Sequence, residues 1–129
     1  MNLATRYLGL ELPHPLICGS SPLADDVDGA RRLEDAGIAA IVLRSLFEEQ
    51  LEDARGGRAG AAAAAAEEYG ERVRRLRAAV EVPVVASLNG TTLGGWLAQA
   101  RLVEQAGAHA IELNAYRVVT DPETSSREV

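Results

Sequence analysis

The amino-acid sequence predicts an α/β fold whose parallel sheet is built from about four βα units and preceded by an N-terminal hairpin. Three observations predict it. The stretch Leu33-Glu34-Asp35-Ala36-Gly37-Ile38-Ala39-Ala40-Ile41-Val42-Leu43-Arg44 returns seventy residues later as Val103-Glu104-Gln105-Ala106-Gly107-Ala108-His109-Ala110-Ile111-Glu112-Leu113-Asn114, with six identities in twelve positions. Each copy ends a helix at a glycine placed for left-handed φ, turns within one or two residues, and runs into an apolar strand. Four short runs, residues 15–18, 39–43, 83–86 and 110–113, are near-continuously apolar, as strands buried on both faces are. Helical patterns separate them, which makes their connections crossovers and the sheet parallel. Such a repeat follows from αβ geometry itself, so it argues fold and not activity.

Taken in order, Thr5-Arg6-Tyr7-Leu8 and Leu10-Glu11-Leu12 flank Gly9 as a small hairpin would, ended by Pro13 and Pro15 and expected to plug the amino-terminal side of the sheet. The first helix has Asp26 or Asp28 as N-cap, Ala30, Leu33 and Ala36 on its inner face, and a stop at Gly37. Residues 46–66 form a surplus between the second and third runs, with a Gly-rich stretch and six alanines that read as a linker or as a lid over the strand ends. The next helix carries Tyr69, Val73, Leu76 and Val80 on one stripe, with Glu68 and Arg72, and Glu71 and Arg75, spaced as i,i+4 pairs. The third helix opens after Thr92, is weakened by Gly94 and Gly95, and turns Leu93, Leu97, Ala100 and Val103 inward. His14 reads as a turn residue, His109 as the first residue of a strand on the non-catalytic side, and Trp96 as a packing anchor. Residues 119–129 lack an apolar pattern and read as a mobile tail.

The 129 residues make one domain, large enough to bury about two-thirds of the unfolded surface but short of the roughly 250 residues of a closed eight-unit barrel. No apolar run nears the roughly 20 residues of a membrane span, and Met1-Asn2-Leu3 starts no cationic, hydrophobic leader, so a cytoplasmic chain without membrane contact is expected. Cys18 stands alone, which excludes an internal disulfide, and two histidines give no cluster with metal-ligand spacing. A net charge of −6 disfavours nucleic acid as a partner. All 13 basic residues are arginine. Schiff-base chemistry and a lysine general base are thereby excluded, which disfavours a phosphate-substrate aldolase barrel.

Parallel α/β proteins place their chemistry at the carboxyl ends of the strands. Those ends read Gly19-Ser20-Ser21, Arg44-Ser45, Ser87-Leu88-Asn89-Gly90-Thr91-Thr92 and Asn114-Ala115-Tyr116-Arg117. Amides, hydroxyls, a guanidinium and small residues at one level suit a flat conjugated ring, held at its carbonyls and ring nitrogens with its reactive edge open. Glu112 and Asn114, two apart, share the inner face, where a carboxylate needs Arg44 or another partner.

The runs Pro-Leu-Ile-x-Gly-Ser-Ser, Ala-x-Ile-Val-Leu-Arg-Ser-Leu-Phe-Glu-Glu-Gln, Pro-Val-Val-Ala-Ser-Leu-Asn-Gly-Thr-Thr and Glu-Leu-Asn, in this order and spacing, resemble the amino-terminal half of the dihydroorotate dehydrogenase-like flavoproteins. The likeness extends from Tyr7 to Glu128. It implies a partial FMN-binding (β/α)8 (TIM) barrel, with a hairpin at 1–14, four βα units at 15–118 and a tail at 119–129. It implies hydride transfer from a CH–CH group of a small substrate to flavin, in pyrimidine metabolism. By the same resemblance Gly19, Ser20, Arg44, Ser45, Ser87 and Asn114 hold the cofactor. Arg44 stands where the family usually has a lysine, keeping the charge but exchanging a point-like ammonium for a planar fork. The usual Cys or Ser base after Asn114 is absent. Tyr116 and Arg117 occupy that region, and the resemblance assigns no catalytic residue. The family grips the flavin phosphate with loops after the seventh and eighth strands, so the chain is expected to need a C-terminal half or a homo-oligomer. The competing expectation is a non-catalytic half-barrel that self-associates through its sheet edges.

Overall fold

The structure, a computed structural model, describes residues 1–47, 61–90, 93–115 and 125. The hairpin forms from β1 (Thr5–Tyr7) and β2 (Leu10–Leu12), paired antiparallel with Thr5 opposite Leu12. Leu8 and Gly9 turn the chain at φ 52° and 79°, the two positive values a type I′ turn requires. Leu12 packs on Ala39 and Ala40. The hairpin thus covers the end of the sheet where the strands begin, as the sequence predicts.

Helix α1 (Val27–Asp35) is capped by Asp26, whose Oδ1 accepts from the Gly29 N–H at 2.7 Å. It closes with Gly37 at φ 85°, Gly37 N donating to Glu34 O and Ile38 N to Leu33 O. The second copy of the repeat does the same with Gly107 at φ 88°, Gly107 N donating to Glu104 O and Ala108 N to Val103 O. Both copies therefore end in the same six-to-one and five-to-two closure, which needs a residue without Cβ at the positive φ.

The second sheet is parallel. Its strands are β3 (Ile41–Val42), β4 (Leu46–Phe47), β5 (Val84–Asn89) and β6 (Ala110–Asn114), with helices α2 (Ala61–Ala79) and α3 (Leu93–Gln105) between them. Cys18 adds a single parallel bridge to Ile41. The order across the sheet, Cys18, β3 with β4, β5, β6, follows the order along the chain. Ile41, Leu43, Leu46, Val84, Ala86, Leu88 and Ile111 join Ala30, Tyr69, Val73, Leu76 and Val103 of the three helices in one core. Side chains alternate along a strand, so Val85, Ser87, Asn89, Glu112 and Asn114 point to the opposite face. The α-helices of the described residues all lie on one side of the sheet.

β3 and β4 form one strand interrupted by a bulge. Val42 pairs with Val85 and Leu46 with Leu88, so four steps on one side answer three on the other. The extra residue leaves the Ser87 backbone without ladder partners on that side. Tyr69 supplies them from α2: its hydroxyl donates to Ser87 O and accepts from Ser87 N, both at 3.0 Å.

Several sequence expectations are corrected. Leu46 and Phe47 are paired strand and 61–66 are the start of α2, where alanine's high helix propensity operates, not parts of a surplus loop. Residues 48–60, including the Gly-rich stretch, lie outside the described residues, as do 116–124 and 126–129. Ala36 is exposed, at the C-cap beyond the buried face. Arg74, and not Arg72 or Arg75, pairs along α2, with Glu71 and Glu67, because Arg72 turns toward Asp25. Leu97 is 59% exposed and Gln99 takes the buried position instead. The stripe of Tyr69, Val73, Leu76 and Val80 is buried as predicted, and Trp96 packs against the core. His109 is at the sheet's amino-terminal end, where its Nδ1 accepts from Val84 N at 2.9 Å; burial first, then Arg77, lowers its pKa.

Tyr69→Phe strands a buried N–H and C=O and should destabilise the fold by about 2 kcal/mol, read from urea unfolding. Burial, opposed in part by the Ser87 backbone bond, pushes the Tyr69 hydroxyl up to about 12. The unfolded chain, with its tyrosine near 10, releases this proton first. Stability is therefore complete below pH 10 and lost as pH rises toward 12, and Tyr69→Phe should remove that part of the alkaline decline.

Candidate functional site

Because the bulge inserts one residue, it changes which side chains reach the helix-free face. Val42 and Phe47 hold their alternation with Val85 and Asn89. Between them Ser45 takes the inward position, while Arg44 leaves the alternation and reaches the rim.

Ser45, from the bulge, meets Ser87, from the centre of β5, at 2.8 Å between hydroxyl oxygens. Ser87 Oγ donates to Glu112 Oε1 at 2.7 Å. Asn114 Nδ2, at the end of β6, lies 3.0 Å from Ser45 Oγ, 2.9 Å from Ser87 Oγ and 3.3 Å from Glu112 Oε1. Asn89 steadies this end of the sheet, its Nδ2 donating to Asn114 O at 3.1 Å. Three consecutive strands thus deliver one continuous polar patch. Ser87 is fully buried within it, Ser45 and Asn114 are half-buried, and Glu112 is exposed.

The carboxylate on the inner face therefore has partners, and Arg44 is not among those of this patch. Arg44 grips Asp25, with Nη2 at 2.6 Å from Oδ2 and Nε at 2.8 Å from Oδ1. Arg72 approaches the same carboxylate at 3.8 Å. A forked guanidinium matches a carboxylate in this two-bond geometry, and the loop between Ser21 and α1 holds Asp25 in reach.

A cavity of about 500 Å3 opens beside the bulge, lined by Ser20, Arg44, Ser45, Phe47, Tyr69 and Arg72 among others. Its volume is that of a small-molecule site. Of the residues predicted to hold a cofactor, Ser45, Ser87 and Asn114 touch one another, and Ser20 and Arg44 join Ser45 around the cavity. Gly19 is exposed, with nothing within 4 Å of where a Cβ would stand. Tyr116 and Arg117 lie outside the described residues. Tyr69 and Asp25 were not expected at the site. A lone tyrosine in an otherwise aliphatic stripe was the available signal for the first, since a buried phenol needs a polar partner. Asp25 carried no signal in the sequence.

The fold and patch define a class: an α/β protein with a parallel sheet, one helix layer and a polar site at the strands' carboxyl ends. No protein-family model matches the chain. The chain is 30% identical to a protein of Aeropyrum pernix named "Putative dihydroorotate dehydrogenase A (fumarate)", the match covering 88% of this chain and 40% of that protein. The chain thus spans well under half the length of this relative. The likeness is to a dihydroorotate dehydrogenase-like oxidoreductase. No helix among the described residues is long and apolar enough to cross a membrane.

Ser87→Ala removes an acceptor shared by Ser45 and Asn114 and should cost about 1–2 kcal/mol in urea unfolding. Asp25→Ala breaks a pair whose side chains are 30% and 50% exposed and should cost less than about 1 kcal/mol.

Proposed function

We propose that this chain is part of an FMN-dependent oxidoreductase of the dihydroorotate dehydrogenase-like group, acting on a CH–CH group of a small substrate. In this reading residues 1–14 are the covering hairpin, 15–118 are the first four units of a (β/α)8 barrel wall, and 119–129 are a tail. The observation that carries it is the meeting of Ser45, Ser87 and Asn114, from three consecutive parallel strands, on the helix-free face. Strand order that follows the chain, with every described helix on one face, supports a barrel wall over a doubly wound sheet, which has helices on both faces. The similarity to the Aeropyrum pernix protein supports the same reading.

The residues present fit a flavin ring. A flat ring needs an open ledge with hydroxyl and amide groups at one edge, and the patch beside the cavity supplies both. When bound, FMN supplies the hydride-accepting chemistry. Asn114 orients the ring edge, Ser45 and the buried Ser87 hold its carboxamide, Tyr69 fixes the backbone from which Ser87 projects, and Ser20 and Arg44 border the space beside it. Arg44, held by Asp25, places positive charge at the rim, where an anionic substrate gains from it.

The exposed edge favours a second element of the reading. Leu113 on β6 and Leu97 on α3 are 61% and 59% exposed, and among the described residues β6 pairs with β5 alone. Another polypeptide, a C-terminal half or a second copy of the chain, covers this edge in the working protein.

Titration with FMN tests the proposal. Flavin fluorescence should be quenched and the purified complex should be yellow and bleach with dithionite. Asn114→Ala, with unchanged circular dichroism, should weaken binding by at least about tenfold, the loss of hydrogen bonds to a bound ring. A folded, colourless chain that leaves FMN fluorescence untouched rejects the flavin reading.

A further inference from the structure

Seen as the seat of a flat ring, the helix-free face raises the question of which ring edge it accepts, and proton counting answers it. A hydroxyl has one proton to give and a carboxylate has none. Ser87 Oγ stands 2.7 Å from Glu112 Oε1, the shortest contact of the patch, and gives its proton there. The 2.8 Å contact between Ser45 and Ser87 must then use the proton of Ser45. With both hydroxyl protons committed, both serine oxygens can only accept. Asn114 must meet them with Nδ2, as it does at 3.0 and 2.9 Å. A turned-over amide would set Oδ1 against two oxygens that have no proton to offer and against the Glu112 carboxylate, 3.3 Å away.

We infer that Glu112 is a positioning residue that fixes the direction of every hydrogen bond in the patch, so that the face selects a ring edge carrying an N–H. The direction runs from Ser45 to Ser87 to Glu112, with Asn114 giving its two amide protons to the two serine oxygens and lying 3.3 Å from Glu112 Oε1. The acceptors left unused within the patch are Asn114 Oδ1 and the second oxygen of Glu112. An imide N–H, as in a flavin or pyrimidine-type ring, complements them. A bare carbonyl or an N-alkylated edge does not. The inference rests on the flavin reading for its ligand but not for its hydrogen-bond direction.

Lumiflavin and 3-methyllumiflavin, which differ only in whether the imide nitrogen bears hydrogen or methyl, are the probes. In fluorescence titrations the wild-type chain should bind lumiflavin at least about tenfold more tightly, the value of a hydrogen bond to a charged or polar acceptor. Glu112→Gln, whose amide can donate to Ser87 and so release the direction, should reduce that preference to less than about threefold. Equal binding of both probes by the wild type overturns the inference and leaves the flavin reading standing. A preference that survives Glu112→Gln is a steric effect of the methyl group and also overturns it. If neither probe binds, the flavin reading falls, and the direction is decided by the 15N–1H spectrum of the Asn114 carboxamide. Two separated, slowly exchanging protons in the wild type that collapse toward free-amide positions in Glu112→Gln support it. Free-amide positions in the wild type overturn it.

Discussion

The structure depends on one extra residue between β3 and β4. A regular strand would satisfy Ser87 through the ladder and set Arg44 on the inner face. With the bulge, two backbone groups of Ser87 face no strand partner, and an unpaired buried amide or carbonyl is costly. The Tyr69 hydroxyl is both donor and acceptor, so one atom satisfies both groups. This ties α2 to the middle of the sheet at the level where the polar patch begins. Helix, strand and site thus meet at one hydroxyl, which offsets the cost of the bulge.

Much of the fold was legible in the sequence because it is local. The repeated Ala-Gly joint specifies the same glycine-dependent closure at Gly37 and Gly107, and hydrogen bonds in both copies obey it. The stripe of α2 and the turn at Gly9 follow from period and φ in the same way. The exceptions are instructive. Leu97 fits an inward helical pattern yet is exposed, because α3 lies at the side of the sheet where the described residues place no further layer. The alanines at 61–66 look like linker by complexity and are helix by propensity.

The site was legible as a set of positions and illegible as a set of contacts. Counting strand ends placed Ser45, Ser87 and Asn114 at one level, and they do meet. Which side chain faces inward depends on parity along the strand, and a bulge reverses parity without leaving a mark in composition. Arg44 or another partner was therefore expected beside Glu112, whereas Ser87 and Asn114 hold that carboxylate, Ser45 takes the inward position and Arg44 holds Asp25. The partner of the inner carboxylate is a serine whose own backbone is fixed by a tyrosine from another element. No spacing rule links residues 45, 69, 87 and 112.

The arginine at position 44 acquires its meaning from this displacement. Were a lysine there, its single ammonium could reach Asp25 but could not make the two parallel bonds seen, at 2.6 and 2.8 Å. The fork therefore suits the rim position, and the inner face gives up a cation. What remains in the patch is a neutral amide and two hydroxyls organised by one carboxylate. Positive charge is kept beside the cavity at Arg44 and Arg72. In the function proposed above, ring recognition and charge recognition fall on the two sides of a single bulge.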